Sequence, residues 1–367
     1  FFPEALARIF VTFNSLFGNF LNFIIPLLIL GLVAPGIAEL GRGAGKMLGV
    51  TTLLAYGSTV LAGYFSYGVC GLTYPHILEQ GSFSSSEALA AAEGLEPYFV
   101  IDMPPLFGVM SALILSFVLG LALASVKGNA FRTVLNEFRE VIMLVIRKVI
   151  IPLLPLYIFG IFLKMGVEGT VMMIIGLFLK VIIVIFILHV ALLLIQFCIA
   201  GAVAGKNPLR CLKNMLPAYM TALGTQSSAA TIPVTLAQAK KNGVRAEVAD
   251  FVIPLCGTIH LSGSTLKIVA CAFAISFMTG MPTDLGLYTE FIFMLGIAMV
   301  AAPGVPGGAI MASIGIIGSI LGFDEDMQGL MIALYIAMDS FGTACNVTGD
   351  GAIALIVDRI FKRQAVR

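Results

Sequence analysis

Long apolar runs dominate the chain, without the strict alternation of polar and apolar residues that half-buried strands show. The clearest runs are 20–32, 106–124 and 181–200. A helix that crosses a bilayer needs about 20 mainly apolar residues. The pattern therefore predicts an all-α integral membrane protein. Its predicted spans are 7–37, 46–72, 104–126, 140–165, 170–204, 246–278 and 327–360.

Composition agrees with the membrane assignment. Hydrophobic residues make up 59% of the 367 residues and charged residues 11%, and the mean hydropathy is +1.04. Soluble domains carry about 25% charged residues. The net charge of +1 and the lack of a basic tail in the sequence argue against nucleic acid as a partner. The six cysteines form no CxxC pair, so we interpret them as free packing residues.

Charges between the runs sort by sign, with Arg8 and Lys164 as exceptions. The basic loops lie near 42–46, 127–148, 206–213, 240–245 and 359–367. The positive-inside rule places these loops in the cytoplasm. We therefore expect a multi-pass protein of the inner (plasma) membrane, surrounded by lipid and with a cytoplasmic C-terminus. Because Phe1 then lies outside, we expect one further span before it in the natural protein.

Two stretches begin and end on the same side of the membrane. Residues 207–241 start and finish among basic loops, and residues 283–323 among acidic ones. A segment that leaves by the side it entered is a re-entrant hairpin, which requires a backbone buried in protein or lining a cavity. Because the hairpins enter from opposite sides, the sequence predicts an inverted repeat.

Each hairpin is followed by a span that small and polar residues interrupt, at 257–264 and at 339–350. Interrupted helices expose free amides, which bind anions, and free carbonyls, which bind sodium. Acidic residues inside a span are costly, so Asp339 and Asp350 are functional candidates. The alternative is that either one pairs with Lys267 or with a backbone amide.

At these residues the chain resembles the dicarboxylate/amino acid:cation symporter family, which has the glutamate-transporter fold. The motifs are the serine-rich 227–235, Gly304-Val305-Pro306-Gly307, and Asn346-Val347-Thr348-Gly349-Asp350. The resemblance covers nearly the whole chain. It implies a divergent bacterial-type member, a homotrimer and an elevator mechanism in an inverted-repeat transporter. Residues 1–45 and 73–165 would form the scaffold and an external loop, and 46–72 and 166–367 the moving transport domain.

The resemblance also implies roles for single residues. Ser228 and Asn346 would bind the substrate's α-carboxylate, and Asp339 its α-ammonium. The full implied substrate set is Ser227, Ser228, Ser264, Val305, Gly307, Asp339, Gly342, Thr343 and Asn346. One or two sodium ions would bind the Asp350 carboxylate and mostly backbone carbonyls. The implied carbonyl positions are Cys256, Thr258, His260 and Asn346.

The pocket departs from that of acidic-substrate members. These carry an arginine at the position of Gly342, and its planar fork grips the substrate's side-chain carboxylate. Without such a partner a buried carboxylate stays unpaired, which costs several kcal/mol. We therefore expect a symporter of small neutral amino acids such as serine, alanine or threonine. The alternative is an acidic amino acid or dicarboxylate, for which Lys267 or another group would have to replace the arginine.

A second departure is the sequence His260-Leu261-Ser262, where the family carries an aspartate that ligands a third sodium. We expect this third site to be absent. His260 has two interpretations: a proton carrier that couples H+ in place of some sodium, or a hydrogen-bonded packing residue. Lys267 is likewise open between a charge inside the protein and a side chain that snorkels outward.

Two other classes of function fit less well. A channel would line a continuous pore with rings of charge or carbonyls, whereas Asp339 and Asp350 beside helix breaks favour an occluded site. An intramembrane enzyme would need catalytic residues, and the sequence contains no Gly-x-Ser-x-Gly or His-Glu-x-x-His motif. The sequence therefore predicts a secondary transporter and not an enzyme.

Overall fold

The computed structural model describes residues 4–41, 46–82, 96–126, 128–167, 171–302, 304 and 306–364. These ranges are helical apart from turns and short connections. The helices are α1 Glu4–Gly41, α2 Lys46–Ile77, α3 Val109–Ser125, α4 Ala130–Val145, α5 Ile151–Val167, α6 Val171–Ala204, α7 Pro208–Thr225, α8 Ser228–Lys241, α9 Ala246–Ile259, α10 Ser262–Thr279, α11 Leu285–Ala301, α12 Gly308–Leu321, α13 Glu325–Ala337 and α14 Asp339–Gln364. A π-helical turn, Ile146–Ile150, joins α4 to α5.

Five helical stretches in the described ranges are long and apolar enough to cross a membrane, and α13 with α14 makes a sixth if the bent pair is one span. This confirms the predicted all-α membrane architecture. The helix expected at 140–165 is longer than predicted, because α4 and the π turn extend it back to Ala130. Helix α4 is amphipathic, and polar residues on one face do not end a helix. The helix expected from residue 104 begins only at Val109.

The first predicted hairpin, 207–241, consists of α7 and α8. Asn207 caps α7 by accepting a hydrogen bond from an amide of its first turn at 2.9 Å. Gln226 closes the turn between the arms in the left-handed region, with φ 51°. At the open end, the Asn242 side chain donates to the Cys211 carbonyl at 3.0 Å. The arms are therefore antiparallel, as a re-entrant hairpin requires.

The second predicted hairpin, 283–323, consists of α11 and α12, which pack against each other. Gly307 and Gly322 flank α12, and both have left-handed φ angles, 71° and 74°, that favour glycine. The two tips touch, because the Ser227 hydroxyl donates to the Gly304 carbonyl at 2.8 Å. The hairpins therefore meet tip to tip.

The two broken spans differ. The first breaks where predicted, since α9 ends at Ile259, α10 starts at Ser262 and His260 is extended with φ −108° and ψ 91°. The second bends by 62° at Met338, between α13 and α14. The predicted break around Asn346 is wrong, since α14 runs unbroken through the Asn-Val-Thr-Gly-Asp motif. A lone glycine costs a helix interior only about 1 kcal/mol, which packing on all sides offsets.

Helix α10 lies at the centre of the molecule. Nearly all of its residues are buried, which is the pattern of a helix enclosed by other helices. It approaches α14 closely, because a Cβ on Gly263 would lie 2.6 Å from the Cys345 Cβ and 2.8 Å from the Gly342 carbonyl. Glycine at 263 permits this contact, and it brings the starts of both helices to one place.

Candidate functional site

The hairpin tips and the break between α9 and α10 converge on one region. A Cβ built on Gly304 would lie 3.5 Å from the Gly257 carbonyl, near the end of α9, and 3.7 Å from the Ala229 amide, at the start of α8. Helix N-termini favour anions and C-terminal carbonyls favour cations. The region therefore offers sites of both kinds within a few ångströms.

Asn346 connects α14 to the start of α10. Its side-chain oxygen accepts hydrogen bonds from the amides of Gly263 (2.8 Å) and Ser264 (3.2 Å). Its side-chain nitrogen donates to the Ser264 hydroxyl at 2.9 Å. The amide group thus caps α10 in the manner of an N-cap residue, although it comes from another helix. One hydrogen of the Asn346 nitrogen stays available for the α-carboxylate that the family resemblance assigned to it.

Lys267 lies in the middle of α10 and is fully buried, with 0% of its surface exposed. Its ammonium donates to the Tyr335 carbonyl at 3.1 Å and to the Asp339 carboxylate at 3.4 Å, and it lies 3.3 Å from the centre of the Tyr335 ring. The outward-facing interpretation of Lys267 is therefore wrong. The alternative for Asp339, that it pairs with Lys267, is what the structure shows.

Asp339 also holds the second hairpin tip. Its other carboxylate oxygen accepts a hydrogen bond from the Gly307 amide at 2.7 Å. Asp339 is the first residue of α14, directly after the 62° bend, so the bend aims its carboxylate at the tip. The carboxylate that the family resemblance assigned to the substrate's ammonium thus bridges an ammonium of the protein and a backbone amide of the tip.

Gly342 lies beside Lys267. A Cβ added at Gly342 would lie 3.1 Å from the Lys267 ammonium nitrogen, 3.2 Å from its Cε and 3.7 Å from the Ser264 hydroxyl oxygen. The end of the lysine side chain therefore occupies the space into which a side chain at position 342 would extend. A cation is present at this point, although it comes from α10 instead of α14.

Three further residues assigned to the substrate are Ser227, Ser228 and Thr343. Ser228 and Thr343 are buried, and Ser227 both contacts Gly304 and caps α8 by accepting from an amide at 3.3 Å. Val305 lies outside the described residues. The structure thus brings Ser264, Gly307, Asp339, Gly342 and Asn346 into one connected group, with the serine-rich tip joined to it through Gly304.

A second polar group surrounds Asp350. The His260 ring contacts the Asp350 carboxylate through Nδ1 at 2.9 Å and the Ser58 hydroxyl through Nε2 at 3.0 Å. The Gln196 side-chain nitrogen donates to the hydroxyls of Ser58 (3.1 Å) and Ser262 (3.0 Å). His260 is thus hydrogen-bonded at both nitrogens, as its packing interpretation expects. A cation at Asp350 would bind the oxygen that the imidazole does not contact.

The proposed sodium ligands are only partly gathered there. Cys256, His260 and Asp350 are buried, whereas Thr258 is exposed and its hydroxyl donates to the Leu255 carbonyl at 2.8 Å. The Cys256 carbonyl accepts from the His260 amide at 2.9 Å, which leaves one lone pair. In the described part of the chain, no three His, Cys, Asp or Glu side chains could together hold a metal ion. A sodium ion here would therefore depend on backbone carbonyls.

The sequence as a whole also matches a known family. The model of the sodium:dicarboxylate symporter family matches residues 1–360. The chain belongs to this family. Its members are transporters, so the predicted resemblance and the membrane assignment are confirmed.

Curated relatives of this symporter family include three transporters of mammals. Excitatory amino acid transporter 3 of Mus musculus is 32% identical over 163 residues, which is 44% of this chain and 31% of the relative. Excitatory amino acid transporter 2 of Homo sapiens is 31% identical over 44% of this chain and 28% of the relative. Excitatory amino acid transporter 1 of Homo sapiens is 30% identical over 54% of this chain and 36% of the relative. The matched part therefore spans about a third of these relatives.

Sequence reasoning missed three polar residues of this centre: Ser58, Gln196 and Tyr335. His189 contacts the Gly263 carbonyl through Nε2 at 3.0 Å, and the Tyr335 hydroxyl donates to the Ser264 hydroxyl at 3.2 Å. A signal existed for Gln196, since it is a polar residue in the long apolar run 181–200. Tyr335 gives no such signal, because tyrosine in a span is usual near the interfaces.

Proposed function

We propose that this chain is a secondary active symporter that couples sodium to the transport of an acidic amino acid or a dicarboxylate. The observation that carries the proposal is the buried ammonium of Lys267 beside Gly342. The expectation of a neutral amino acid rested on the missing arginine at Gly342, and Lys267 removes that premise. The names of the curated relatives support an acidic amino acid as the substrate.

The site can bind such a substrate with its charges paired. One carboxylate would lie at the serine-rich tip, where the N-terminus of α8 and the free Asn346 hydrogen favour an anion. The second carboxylate would contact Lys267, because a buried anion needs a charged partner. Sodium would bind beside Asp350 and the terminal carbonyls of α9, where a helix C-terminus favours a cation.

The hairpins would act as gates, and the protein would work as an elevator in a homotrimer of the inner membrane. The contact between Ser227 and Gly304 joins the two tips, and Asp339 holds Gly307. Opening either gate breaks a few hydrogen bonds and leaves the long helices intact. Such a site moves its substrate without making or breaking covalent bonds, so we propose a transport function with no enzymatic step.

The test is uptake into proteoliposomes that contain the purified protein. We expect an inward sodium gradient to drive uptake of labelled aspartate, glutamate or succinate, and a potassium gradient of the same size to drive none. Liposomes with Lys180→Met are the control, since Lys180 is an exposed span lysine that donates to the Ile77 carbonyl at 2.9 Å. Sodium-driven serine uptake without uptake of any acidic compound would refute the proposal in favour of a neutral amino acid.

A further inference from the structure

Lys267 and Asp339 are held unequally, and this difference bears on the choice among acidic substrates. The lysine ammonium lies closer to the Tyr335 carbonyl (3.1 Å) and to the Tyr335 ring centre (3.3 Å) than to the Asp339 carboxylate (3.4 Å). Asp339 has a shorter contact, 2.7 Å, with the Gly307 amide. Lys267 can therefore keep Tyr335 while it changes its carboxylate partner.

Counting charges separates three kinds of substrate. A neutral amino acid brings one ammonium and one carboxylate, so Lys267 has to remain with Asp339 and the ammonium competes with it. A dicarboxylate brings two carboxylates and no ammonium, so the Lys267 ammonium must pair with Asp339 and with a substrate carboxylate at the same time. An acidic amino acid brings one ammonium for Asp339 and a second carboxylate for Lys267, and every buried charge then has a partner.

We infer, on the basis of the proposed function, that Lys267 is the specificity-determining residue and works by partner exchange. The substrate's ammonium replaces the Lys267 ammonium at Asp339, and the freed Lys267 binds the substrate's distal carboxylate. The substrate class is therefore an acidic amino acid, and dicarboxylates without an ammonium bind less well. No bond forms or breaks, and both charges of the protein remain in place.

Tyr335 is the positioning residue for this exchange. Its carbonyl and its ring hold the Lys267 ammonium, and its hydroxyl donates to Ser264, which in turn accepts from Asn346. The ring is 1% exposed, so it has no room to leave this position. Because both carboxylate contacts of the substrate depend on this chain of hydrogen bonds, Tyr335 sets the distance between them.

The first test uses the unaltered protein in proteoliposomes with a sodium gradient. Unlabelled compounds compete with labelled aspartate: glutamate, succinate, which lacks the ammonium, and serine, which lacks the distal carboxylate. We expect inhibition constants for succinate and serine at least roughly 30-fold above that for aspartate, as the loss of one buried charge contact implies. Succinate that competes as well as aspartate would overturn the exchange but leave the proposed function intact. Absence of sodium-driven uptake of every acidic compound would overturn the proposed function itself.

The second test moves the cation. Lys267→Ala should lower aspartate uptake at least roughly 30-fold, and Gly342→Arg alone should also lose uptake, because two cations would then crowd one space. The double variant Lys267→Ala with Gly342→Arg should recover aspartate uptake, since the arginine extends into the volume that the lysine vacates. Tyr335→Phe keeps the ring and the carbonyl but loses the hydroxyl that donates to Ser264. We therefore expect a higher KM for aspartate with little change in kcat. If the double variant transports aspartate no faster than either single variant, the assignment of Lys267 is overturned.

Discussion

Replacing Lys267 with methionine tests the buried ion pair without any reference to transport. Methionine has nearly the same length and no charge, so Asp339 would lose the ammonium while it keeps its contact with the Gly307 amide. Removing one member of a buried pair costs about 3–5 kcal/mol, because the remaining charge has lost its partner. We therefore expect the unfolding equilibrium constant to rise by roughly 100- to 4,000-fold.

Substituting Asp339, the partner of Lys267, should reduce the free energy of unfolding by less than Lys267→Met does. Asp339→Asn leaves the Lys267 ammonium with the Tyr335 carbonyl at 3.1 Å and the ring at 3.3 Å. A desolvated contact between an ammonium and an aromatic ring contributes about 2 kcal/mol. The loss in Asp339→Asn should therefore fall below that in Lys267→Met. The double variant, which has no buried charge at either position, should lie close to the unaltered protein.

The measurement is reversible unfolding in mixed micelles with increasing SDS, followed by circular dichroism. Lys180→Met is the matched control, because Lys180 is exposed and donates a single hydrogen bond to Ile77, whose loss costs about 1 kcal/mol. Equal losses in Lys180→Met and Lys267→Met would refute the reasoning. So would a double variant whose loss equals the sum of the two single losses, since independent sites add.

Three further predictions concern the contacts around the site. Ser227→Ala removes the donor to Gly304 and the cap of α8, so hydrogen exchange of the second tip should become faster, by about 1 kcal/mol of local stability; unchanged exchange would mean that the tips separate freely. Asn346→Ala should cost about 1–2 kcal/mol of unfolding free energy through the lost cap of α10, while the acceptor-preserving change to Asp should recover part of it. Gly263→Ala should destabilise by about 1–3 kcal/mol, because its Cβ would meet α14 at 2.6 Å, whereas Gly68→Ala, with nothing within 4 Å, should not.

The fold could be predicted in some detail from the sequence, because hydropathy and charge act locally. The two hairpins and the first helix break lie where the sign of the loop charges and the small residues placed them. The second break was predicted too late, near Asn346 instead of Met338. A glycine in a polar motif indicates a break only if nothing encloses the helix, and tertiary packing that the sequence does not display keeps α14 continuous.

The site was less predictable, since its chemistry depends on which helices approach each other. Gly342 and Lys267 are 75 positions apart, and only the close contact between α10 and α14 brings them to 3.1 Å. Asp339 was assigned to the substrate from a motif, but its contact with Lys267 depends on the 62° bend. The sequence offered the pairing of Asp339 with Lys267 only as one alternative, and the structure shows that pair.

We therefore expect substrate specificity in this protein to depend on the space around Gly342 more than on the residue at position 342. Because Gly263 lets α10 and α14 pack closely, a side chain from either helix can place a cation at the same point. A lysine that comes from α10 also needs the Tyr335 ring, over which its ammonium lies, and it already contacts the Asp339 carboxylate. Under the proposed exchange, Lys267 has to replace one carboxylate partner by another. A change at Tyr335 should for this reason alter the choice of substrate as strongly as a change at Gly342, although Tyr335 itself need not contact the substrate.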